Sequence, residues 1–373
     1  MTQEESAMTS DGFQYDAAGV DTRKARSGLE ALSRSIRDTL SFRDDHPFGR
    51  PATGFGYYAN VLEMPQGGGL AIATDGVGTK ILIAEKTGCY DTVPIDMIAM
   101  NVNDLICVGA DPFALVDYIA VGRVDEEVFE ALGRGLREGA RQSGVTIPGG
   151  EIAQVKELLQ GEGPTEGFDL VGTAVGWVPM DEVNLGASVQ PGDHVLGLKS
   201  SGLHSNGYTL ARRVLLEDGA LSLDAELPDL GRTLGEELLE PTRIYVPHAR
   251  ALAREGLRPH ALLHITGDGY CNLNRVQADV GFILDGLPSP PPIFQRIQKM
   301  GNVPPEEMHS VFNMGIGFCI VVGDEDLSRS LDVLRSLGED PLVLGHATEE
   351  HPNEVVMPQV GLVGRKDRFH REG

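Results

Sequence analysis

Positive charge is scarce in this sequence. Lys and Arg together number 31 against 55 Asp and Glu, which gives a formal net charge of −24 at pH 7. Nucleic acids and anionic membranes repel such a surface unless it carries a local basic patch, and the sequence contains no such patch. We therefore expect neither a nucleic-acid partner nor a membrane partner.

Cysteine is rare, and long apolar runs are missing. No two of the four cysteines form a CxxC pair, which argues against a zinc ribbon or a thioredoxin-type site. No apolar stretch reaches the ~18 residues of a transmembrane helix, and the amino terminus lacks the basic and apolar regions of a signal peptide. We therefore expect a reduced, cytoplasmic protein.

The common nucleotide-binding motifs are also absent. The sequence has no G-x-x-x-x-G-K-[ST], which argues against a Walker-type NTPase. The nearest approach to G-x-G-x-x-G is Gly76-Val-Gly78, with Ile81 where the third glycine would stand, so a Rossmann dinucleotide site is not expected. The sequence contains neither H-E-x-x-H nor G-x-S-x-G.

Length and periodicity predict a two-domain protein of mixed α/β or α+β class. Residues 1–14 are polar and are predicted to be a disordered tail. A turn-rich segment places the domain boundary near residue 182, between domains at 15–182 and 183–373. Helices are predicted at 21–40, 95–108, 125–140, 206–216 and 324–337, with one more opening at Glu240-Pro241. Strands are predicted at 69–74, 113–121, 145–149, 170–178, 194–198 and 315–322 and around 282, and residues 41–56 form a long mobile loop.

Polar residues cluster at the turns between these elements. In Asp75-Gly-Val-Gly78-Thr79-Lys80, glycines let backbone N–H groups approach a phosphate, and Lys80 adds positive charge. The alternative is a hairpin turn with an exposed lysine. A second cluster contains Asp96, Asn101, Asn103, Asp104 and Asp117. Carboxylates inside an apolar segment are costly unless they are paired or bound to a metal such as Mg²⁺, and the alternative is helix caps and core hydrogen bonds.

Three further clusters follow. Gly149-Gly150-Glu151 joins flexible backbone to a carboxylate at a strand end. The segment SSGLHSNGY (200–208) opens a helix, whose N-terminus attracts anions and where His204 and Asn206 add donors. HITGDG (264–269) is a second turn of this kind. An ordinary N-cap is the alternative for both turns. Together the clusters indicate an enzyme that binds Mg-nucleotide without a P-loop.

These clusters, in this order, resemble the phosphoribosylformylglycinamidine cyclo-ligase family. The matching stretches are YDAAGVD (15–21), TDGVGTK (74–80), IDMIAMNVNDL (95–105), GGE (149–151), SSGLHSNGY (200–208), LEPTRIY (239–245), HITGDG (264–269) and GNVPPEEMHSVFNMGIGF (301–318). TDGVGTK and NDL also resemble the wider superfamily that includes thiamine-monophosphate kinase, selenophosphate synthetase and hydrogenase maturation proteins.

The resemblance implies a homodimer of two-domain protomers. The N-terminal ATP-binding half would form a β-barrel with its mate, and the C-terminal half would be an α/β layer domain. It implies that formylglycinamidine ribonucleotide and ATP give aminoimidazole ribonucleotide, ADP and phosphate, a step of purine synthesis. ATP would phosphorylate the amide oxygen, after which the amidine nitrogen would close the ring and expel phosphate.

The resemblance also implies roles for individual residues. The catalytic residues would be His204, Lys80 and Asp104. ATP would be bound by Asp75, Gly76, Gly78, Thr79, Lys80, Asn103, Gly149 and Gly150. The substrate would be bound by Ser201, His204, Asn206, Thr266 and Gly267. Mg²⁺ would be held by Asp75, Asp104 and Glu151, and K⁺ is a second candidate ion.

The sequence departs from the family pattern at two places. The loop HPFGRPATGFGYY keeps only Gly54-Phe55-Gly56 of a usually richer glycine pattern, so no contacts are assigned to it. Asp268 stands where many members have glycine, and it either caps the following helix or faces a second cation.

Two other functions are weighed against the cyclo-ligase. One is a small-molecule kinase or selenophosphate synthetase. A selenophosphate synthetase would be expected to carry a reactive cysteine near its N-terminus, and this sequence has no cysteine before Cys89. The other is a scaffold protein, which would have no need of Asp75, Lys80, Asp104 and His204 together.

Overall fold

The computed structural model describes residues 22–161 and 163–372. The predicted tail at 1–14 and the motif at 15–21 lie outside the described residues. Helices and strands alternate along the described chain, and most strands belong to two sheets, which confirms the predicted mixed α/β class. Among the described helices, none combines the length and apolar composition needed to span a membrane.

The N-terminal half contains one sheet and several helices. Its helices are α1 (Thr22–Ile36), α2 (Ile81–Thr87), α3 (Val93–Cys107) and α4 (Glu126–Ser143). Its strands are β1 (Asn60–Met64), β2 (Gly68–Gly76), β3 (Asp111–Val121), β4 (Gly150–Gln154) and β5 (Phe168–Pro179). The strand order is β1-β2-β5-β3-β4, with β3 and β4 parallel and the other neighbours antiparallel.

The C-terminal half is built around a larger sheet. Its helices are α5 (Tyr208–Arg212), α6 (Leu234–Leu239), α7 (Val246–Arg254), α8 (Pro292–Met300), α9 (Pro305–Val311) and α10 (Asp324–Ser336). Its strands are β6 (His194–Lys199), β7 (Glu226–Leu227), β8 (Arg232–Thr233), β9 (Ala261–His264), β10 (Gly281–Ile283), β11 (Ile316–Val322), β12 (Leu342–Thr348), β13 (Glu354–Met357), β14 (Leu362–Arg365) and β15 (Arg368–Arg371). Eight strands form the sheet in the order β15-β14-β13-β10-β12-β6-β11-β9, and β7 and β8 form a separate pair.

Helix α3 is the buried helix predicted at 95–108. Pro94 stands in its first turn, where the missing N–H costs nothing. Its residues are buried with the exception of Asp104, because it packs against the inner face of the first sheet and against β9. A Cβ on Gly172 of β5 would lie only 3.0 Å from the Asn101 amide nitrogen, so glycine permits this close approach.

Most of the other predicted elements are confirmed, and two are wrong. Residues 145–149 contain only an isolated bridge between Thr146 and Ala114, and the strand begins at Gly150. No helix opens at Glu240-Pro241, because α6 ends at Leu239 and α7 begins at Val246. The intervening backbone is bonded to the N-terminal half instead. Ser41 of the predicted loop 41–56 ends a short 3₁₀ helix, residues 42–56 have neither helix nor strand, and the mobility of the loop stays a prediction.

The N-cap of helix α4 gives the first test. The Asp125 carboxylate accepts a hydrogen bond from the backbone N–H of Val128 at 3.2 Å. We expect Asp125→Ala to lower the free energy of unfolding by about 1 kcal/mol, since the first turn loses this acceptor. Urea titration would measure the change. Asp125→Asn keeps a capping oxygen and is the control, and an equal loss in both variants would contradict a capping role.

Candidate active site

Helix α3 brings together four of the five predicted polar clusters. The contacts are Asn101 Nδ2 to the Asp75 carbonyl (3.1 Å), Ser205 Oγ to Asp96 Oδ1 (3.3 Å) and His264 Nδ1 to Asp104 Oδ1 (2.9 Å). The turns that follow β2, β6 and β9 therefore meet at one junction between the two sheets. Since the turns carry the glycines and hydroxyls predicted to bind ligands, this junction is the candidate active site.

Asp75 lies near the end of β2, where Thr74 and Asp75 are both exposed, at the rim of the junction. Its Oδ1 accepts the Gly76 N–H at 2.7 Å. Surrounding protein atoms remove part of the carboxylate's hydration, which raises the pKa of Asp75, and the negative charge of Asp104 raises it further. The turn continues through Gly78, whose φ is +72°, to Thr79, whose Oγ1 lies 3.3 Å from Thr209 Oγ1.

Asp104 is the one residue of α3 that is not fully enclosed, since its side chain is 18% exposed. His264 Nδ1 donates to its Oδ1 at 2.9 Å. The His264 ring is held in turn by Asn103, whose Nδ2 lies 3.4 Å from Nε2. Because His264 is fully buried, it fixes the orientation of a carboxylate that remains partly open to the junction.

Asp75 and Asp104 suit a magnesium ion. Mg²⁺ binds proteins through one or two carboxylates and completes its shell with water and substrate phosphates. Two carboxylates close enough for one to raise the pKa of the other fit this description. A cation between them would also relieve their repulsion.

Glu151 does not join this pair, so the described residues of one protomer do not bring the predicted three-carboxylate set together. No group of three metal-ligating side chains occurs within residues 22–161 and 163–372. Glu151 pairs in register with Tyr118, and the strands β5 and β3 separate β4 from β2. Gly149 and Gly150 lie beside Glu151 at the far edge of the sheet, next to Asp117, where a Cβ on Gly150 would meet the Asp117 carboxylate.

Lys80 is not a phosphate contact in this structure, contrary to prediction. Its side chain has no exposed surface. The ammonium group donates to Asp96 Oδ1 at 2.8 Å, to the Glu240 carbonyl at 2.6 Å and to the His204 carbonyl at 3.3 Å. An ammonium group has three N–H donors, so all three have acceptors inside the protein.

Asn103 was also predicted to bind ATP, and it too is fully buried. Its Nδ2 donates to the Arg243 carbonyl at 2.8 Å, and its Oδ1 accepts the backbone N–H of Tyr245 at 2.8 Å. Asn103 therefore joins α3 to the segment before α7 and cannot reach a ligand. The alternative of core hydrogen bonds is the correct one for Asn103.

His204 lies beneath the surface of the junction, with 1% of its area exposed. Its φ of +63° places it in the left-handed region. The backbone N–H of Ser201 donates to Nε2 at 3.3 Å, so Nδ1 carries the proton of the neutral ring. Nδ1 is buried without a partner among the described residues. Burial lowers the pKa of His204 well below its ordinary value, and the positive charge of Lys80 contributes to this shift.

The other predicted substrate residues lie on the same turns. Ser201 Oγ donates to the Pro241 carbonyl at 2.6 Å. The backbone N–H of Thr266 donates to Asn272 Oδ1 at 2.7 Å. A Cβ on Gly267 would lie 3.3 Å from Asn206 Oδ1. The turns after β6 and β9 therefore face each other, and the contacts of these residues with substrate stay a prediction.

Asp268 precedes the 3₁₀ helix Gly269–Arg275 but makes no side-chain capping bond, so the capping alternative is wrong. Arg275 instead donates to Asp268 Oδ2 at 2.9 Å. A role of Asp268 toward a second cation stays a prediction. The Arg275 guanidinium also lies 4.6 Å from the ring centroid of Tyr58.

Sequence reasoning missed Arg275, Tyr58 and Thr242. The Tyr58 hydroxyl donates to the His264 carbonyl at 3.0 Å and so anchors the glycine-rich loop to β9. Thr242 donates to Asp96 through both its backbone N–H and its hydroxyl. The tyrosine pair Tyr57-Tyr58 after Gly-Phe-Gly was the sequence signal that could have indicated an anchored loop. No such signal exists for Thr242 and Arg275, because long-range packing sets their partners.

Comparison with known proteins agrees with this geometry. Residues 56–178 match a family described as AIR synthase related protein, N-terminal domain, and residues 190–357 match the corresponding C-terminal domain family. A phosphoribosylformylglycinamidine cyclo-ligase from Methanothermobacter thermautotrophicus is 44% identical over 337 residues, which covers 90% of this chain and 94% of that protein.

Solved structures share the fold at low sequence identity. Thiamine-monophosphate kinase from Stenotrophomonas maltophilia has a TM-score of 0.59 at 19% identity, covering 87% of this chain and 95% of that chain. AaThiL complexed with AMPPCP and TMP has a TM-score of 0.58 at 15% identity, covering 86% of this chain and 92% of that chain.

The buried neutral His204 should make stability depend on pH. In the unfolded chain a histidine takes up a proton near about pH 6.5, whereas the folded protein excludes that proton because burial lowers the pKa. Its contribution is therefore present above the unfolded pKa and is lost as pH falls below it. Between about pH 7.5 and about pH 5.5 the loss should be about 1.4 kcal/mol.

We expect His204→Asn to remove this part of the pH dependence. Asparagine tolerates the left-handed backbone and does not titrate. The measurement is the free energy of unfolding in urea at both pH values. His46→Asn, which changes an exposed histidine, should leave the wild-type slope intact. The same slope in wild type and His204→Asn would contradict the assignment.

Proposed function

The chain belongs to the phosphoribosylformylglycinamidine cyclo-ligase family, and on that premise we propose that it converts formylglycinamidine ribonucleotide to aminoimidazole ribonucleotide. ATP is consumed, and ADP and phosphate are released. The product belongs to de novo purine synthesis. The convergence of Asp75 and Asp104 with the turns after β6 and β9 is the observation that carries this proposal.

The reaction needs two events at one place. An amide oxygen is a poor leaving group, so ATP first transfers its γ-phosphoryl group to that oxygen and releases ADP. The amidine nitrogen then attacks the same carbon, the ring closes, and phosphate leaves with the former amide oxygen. Because positioning and charge neutralisation dominate phosphoryl transfer, the site must hold triphosphate and substrate against each other.

The residues at the junction suit these tasks. Asp75 and Asp104 would hold Mg²⁺, which neutralises phosphate charge when it is bound. The exposed turn at Gly78 and Thr79 would present backbone N–H groups to the triphosphate, whereas the Gly76 N–H already donates to Asp75. Asn206, Thr266 and Gly267 line the opposite turns and would contact the substrate.

His204 would serve as a neutral hydrogen-bond donor. Its buried Nδ1–H has no partner among the described residues, and a buried donor of this kind is stabilised when a ligand oxygen accepts from it. The lowered pKa keeps the ring uncharged near neutral pH. In this proposal His204 polarises the substrate amide or its phosphorylated oxygen.

Another ATP-dependent phosphoryl transfer is the alternative function. The thiamine-monophosphate kinase fold and the AMPPCP, an ATP analogue, bound to AaThiL support ATP use in general. The cyclo-ligase is better supported, because those structures are at most 19% identical whereas the cyclo-ligase relative is 44% identical over nearly its whole length. Binding of K⁺ and a cytoplasmic location are also parts of the proposal. The four cysteines are free thiols, as the proposed reducing location requires.

We also propose that the two sheets correspond to two domains that meet near residue 182, and that the first sheet forms the interface of a homodimer. The strands of the first sheet end at Pro179, and the second sheet begins at His194. The face of the first sheet opposite α3 carries exposed apolar side chains. Trp177, Val116 and Tyr118 on this face are 46%, 44% and 42% exposed, and exposed apolar side chains grouped on one face favour an interaction site.

The test of the reaction is the formation of aminoimidazole ribonucleotide from formylglycinamidine ribonucleotide and Mg-ATP, measured together with ADP release. Asp104→Asn should lower turnover by at least about 100-fold, since the metal loses a charged ligand. The fold should persist because an amide oxygen still accepts from His264.

Asp324→Asn is the control, because that side chain is 89% exposed and pairs with His194. Turnover within about threefold of wild type in Asp104→Asn would remove Asp104 from the metal site. ADP release without the aminoimidazole product, with the γ-phosphoryl group of ATP recovered on another small molecule, would favour the alternative function.

The interface is tested by Trp177→Glu. A charge at the centre of an apolar interface is costly to bury, so the mass in sedimentation equilibrium should fall from about twice 40.0 kDa to 40.0 kDa. Val343→Glu places the same charge on an exposed apolar strand position of the second sheet, 43% exposed, and should leave the dimer intact. A monomeric wild type would contradict the proposal.

A further inference from the structure

A sealed ion pair lies between the two halves of the molecule. Lys80 Nζ and Asp96 Oδ1 are 2.8 Å apart, and neither side chain has exposed surface. Both residues belong to the N-terminal half. Their other polar partners come from the C-terminal half and are the carbonyls of His204 and Glu240, both donors of Thr242, and the Ser205 hydroxyl.

Stability alone does not account for this arrangement. Burying two opposite charges costs desolvation energy that their attraction repays only when the geometry is favourable, and apolar replacements are often as stable. Burial raises the pKa of Asp96 and lowers that of Lys80, and the ion pair opposes both shifts. Asp96 Oδ2 is moreover buried without a partner among the described residues. What the pair does supply is a defined position for the segments bonded to it.

Those segments are the two turns that face the junction. Lys80 directly follows the turn at Gly76–Thr79 and donates to the carbonyl of His204. Ser205, in the same turn as His204, donates to Asp96 at 3.3 Å. A displacement of either turn therefore disturbs the same buried pair, and the pair transmits it to the other turn.

We propose that the Lys80–Asp96 pair is a positioning device that couples the nucleotide turn at 76–79 to the substrate turn at 200–206, so that each ligand strengthens the binding of the other. The inference rests on the proposed function for the identity of the two ligands. Ordering of the shared pair by one ligand lowers the cost of ordering it for the second, and such coupling is reciprocal.

A substitution of Thr242 is the smallest change that removes a hydrogen bond to the Lys80–Asp96 pair. Its hydroxyl donates to Asp96 Oδ1 at 2.5 Å, and the side chain is buried. Thr242→Val removes that hydroxyl and keeps the shape, whereas Thr242→Ser keeps the hydroxyl. The measurement is the Kd of AMPPCP with and without saturating formylglycinamidine ribonucleotide. The wild-type ratio should be at least about fivefold, should fall to within about twofold of unity in Thr242→Val, and should return in Thr242→Ser.

The double variant Lys80→Met/Asp96→Asn removes both charges together, so no charge is left buried and unpaired. It should also abolish the coupling. Arg250→Met is the matched control, because Arg250 also bonds across the two halves, to Asp111 at 2.7 Å and to the carbonyls of Ser143 and Pro112 at 2.7 and 2.9 Å. It should lower thermal stability and leave the coupling ratio within about twofold of wild type.

The outcomes separate the inference from the proposed function. A wild type that forms product but shows no coupling, or a Thr242→Val variant that keeps the full ratio, would overturn the inference alone. Equal loss of coupling in Arg250→Met would overturn it as well, since general loosening would then explain the effect. A wild type that forms no aminoimidazole ribonucleotide would overturn the proposed function and, with it, the identity of both ligands.

Discussion

The cost of burying polar side chains on helix α3 constrains the rest of the structure. Asp96, Asn101 and Asn103 have no exposed surface, and a buried polar group without a partner is strongly destabilising. Their partners come from segments far away in sequence, including the backbone of Asp75 and of Tyr245. These hydrogen bonds favour the arrangement in which the two sheets pack on α3, and that arrangement brings the turns together.

Asp96 and Asp104 lie on the same helix, but their different surroundings give the two carboxylates different roles. Asp96 is sealed and receives donors from Lys80 and Thr242. Asp104 lies two helical turns further on, remains 18% exposed, and is held from behind by His264. The first carboxylate has its charge neutralised within the protein. The second keeps capacity for a ligand, so it is the one suited to chemistry.

The sequence predicted the order and type of elements well, because local periodicity controls them. Its failures arise where long-range contacts decide. Glu240-Pro241 carries a helix-start signal, yet its backbone is bonded to Lys80 and Ser201. Glu151 follows two glycines as a ligand would, but the strand order, which periodicity does not reveal, puts two strands between β4 and β2.

The sequence predicted which motifs meet at the site better than it predicted which individual side chains face a ligand. Asp75, Asp104 and the turns after β6 and β9 do meet, because motifs that follow strand ends share an edge of the fold. Lys80 and Asn103 belong to the same motifs but point inward, and a sequence does not distinguish a lysine that faces a ligand from one that faces Asp96. Asp268 forms an ion pair with Arg275. The sequence suggested a helix cap or a cation site for Asp268, but not this ion pair.

The abundance of glycine has two physical causes at this site. Gly78, with φ of +72°, lets the exposed turn after β2 adopt a left-handed conformation that side chains disfavour. Gly317 of β11 serves a different purpose. A Cβ there would lie 2.2 Å from the Tyr245 hydroxyl and 2.4 Å from His204 Cε1. Glycine in this strand therefore makes room for the buried imidazole of His204. Because burial lowers the pKa of His204, the neutral state of the ring depends on this packing.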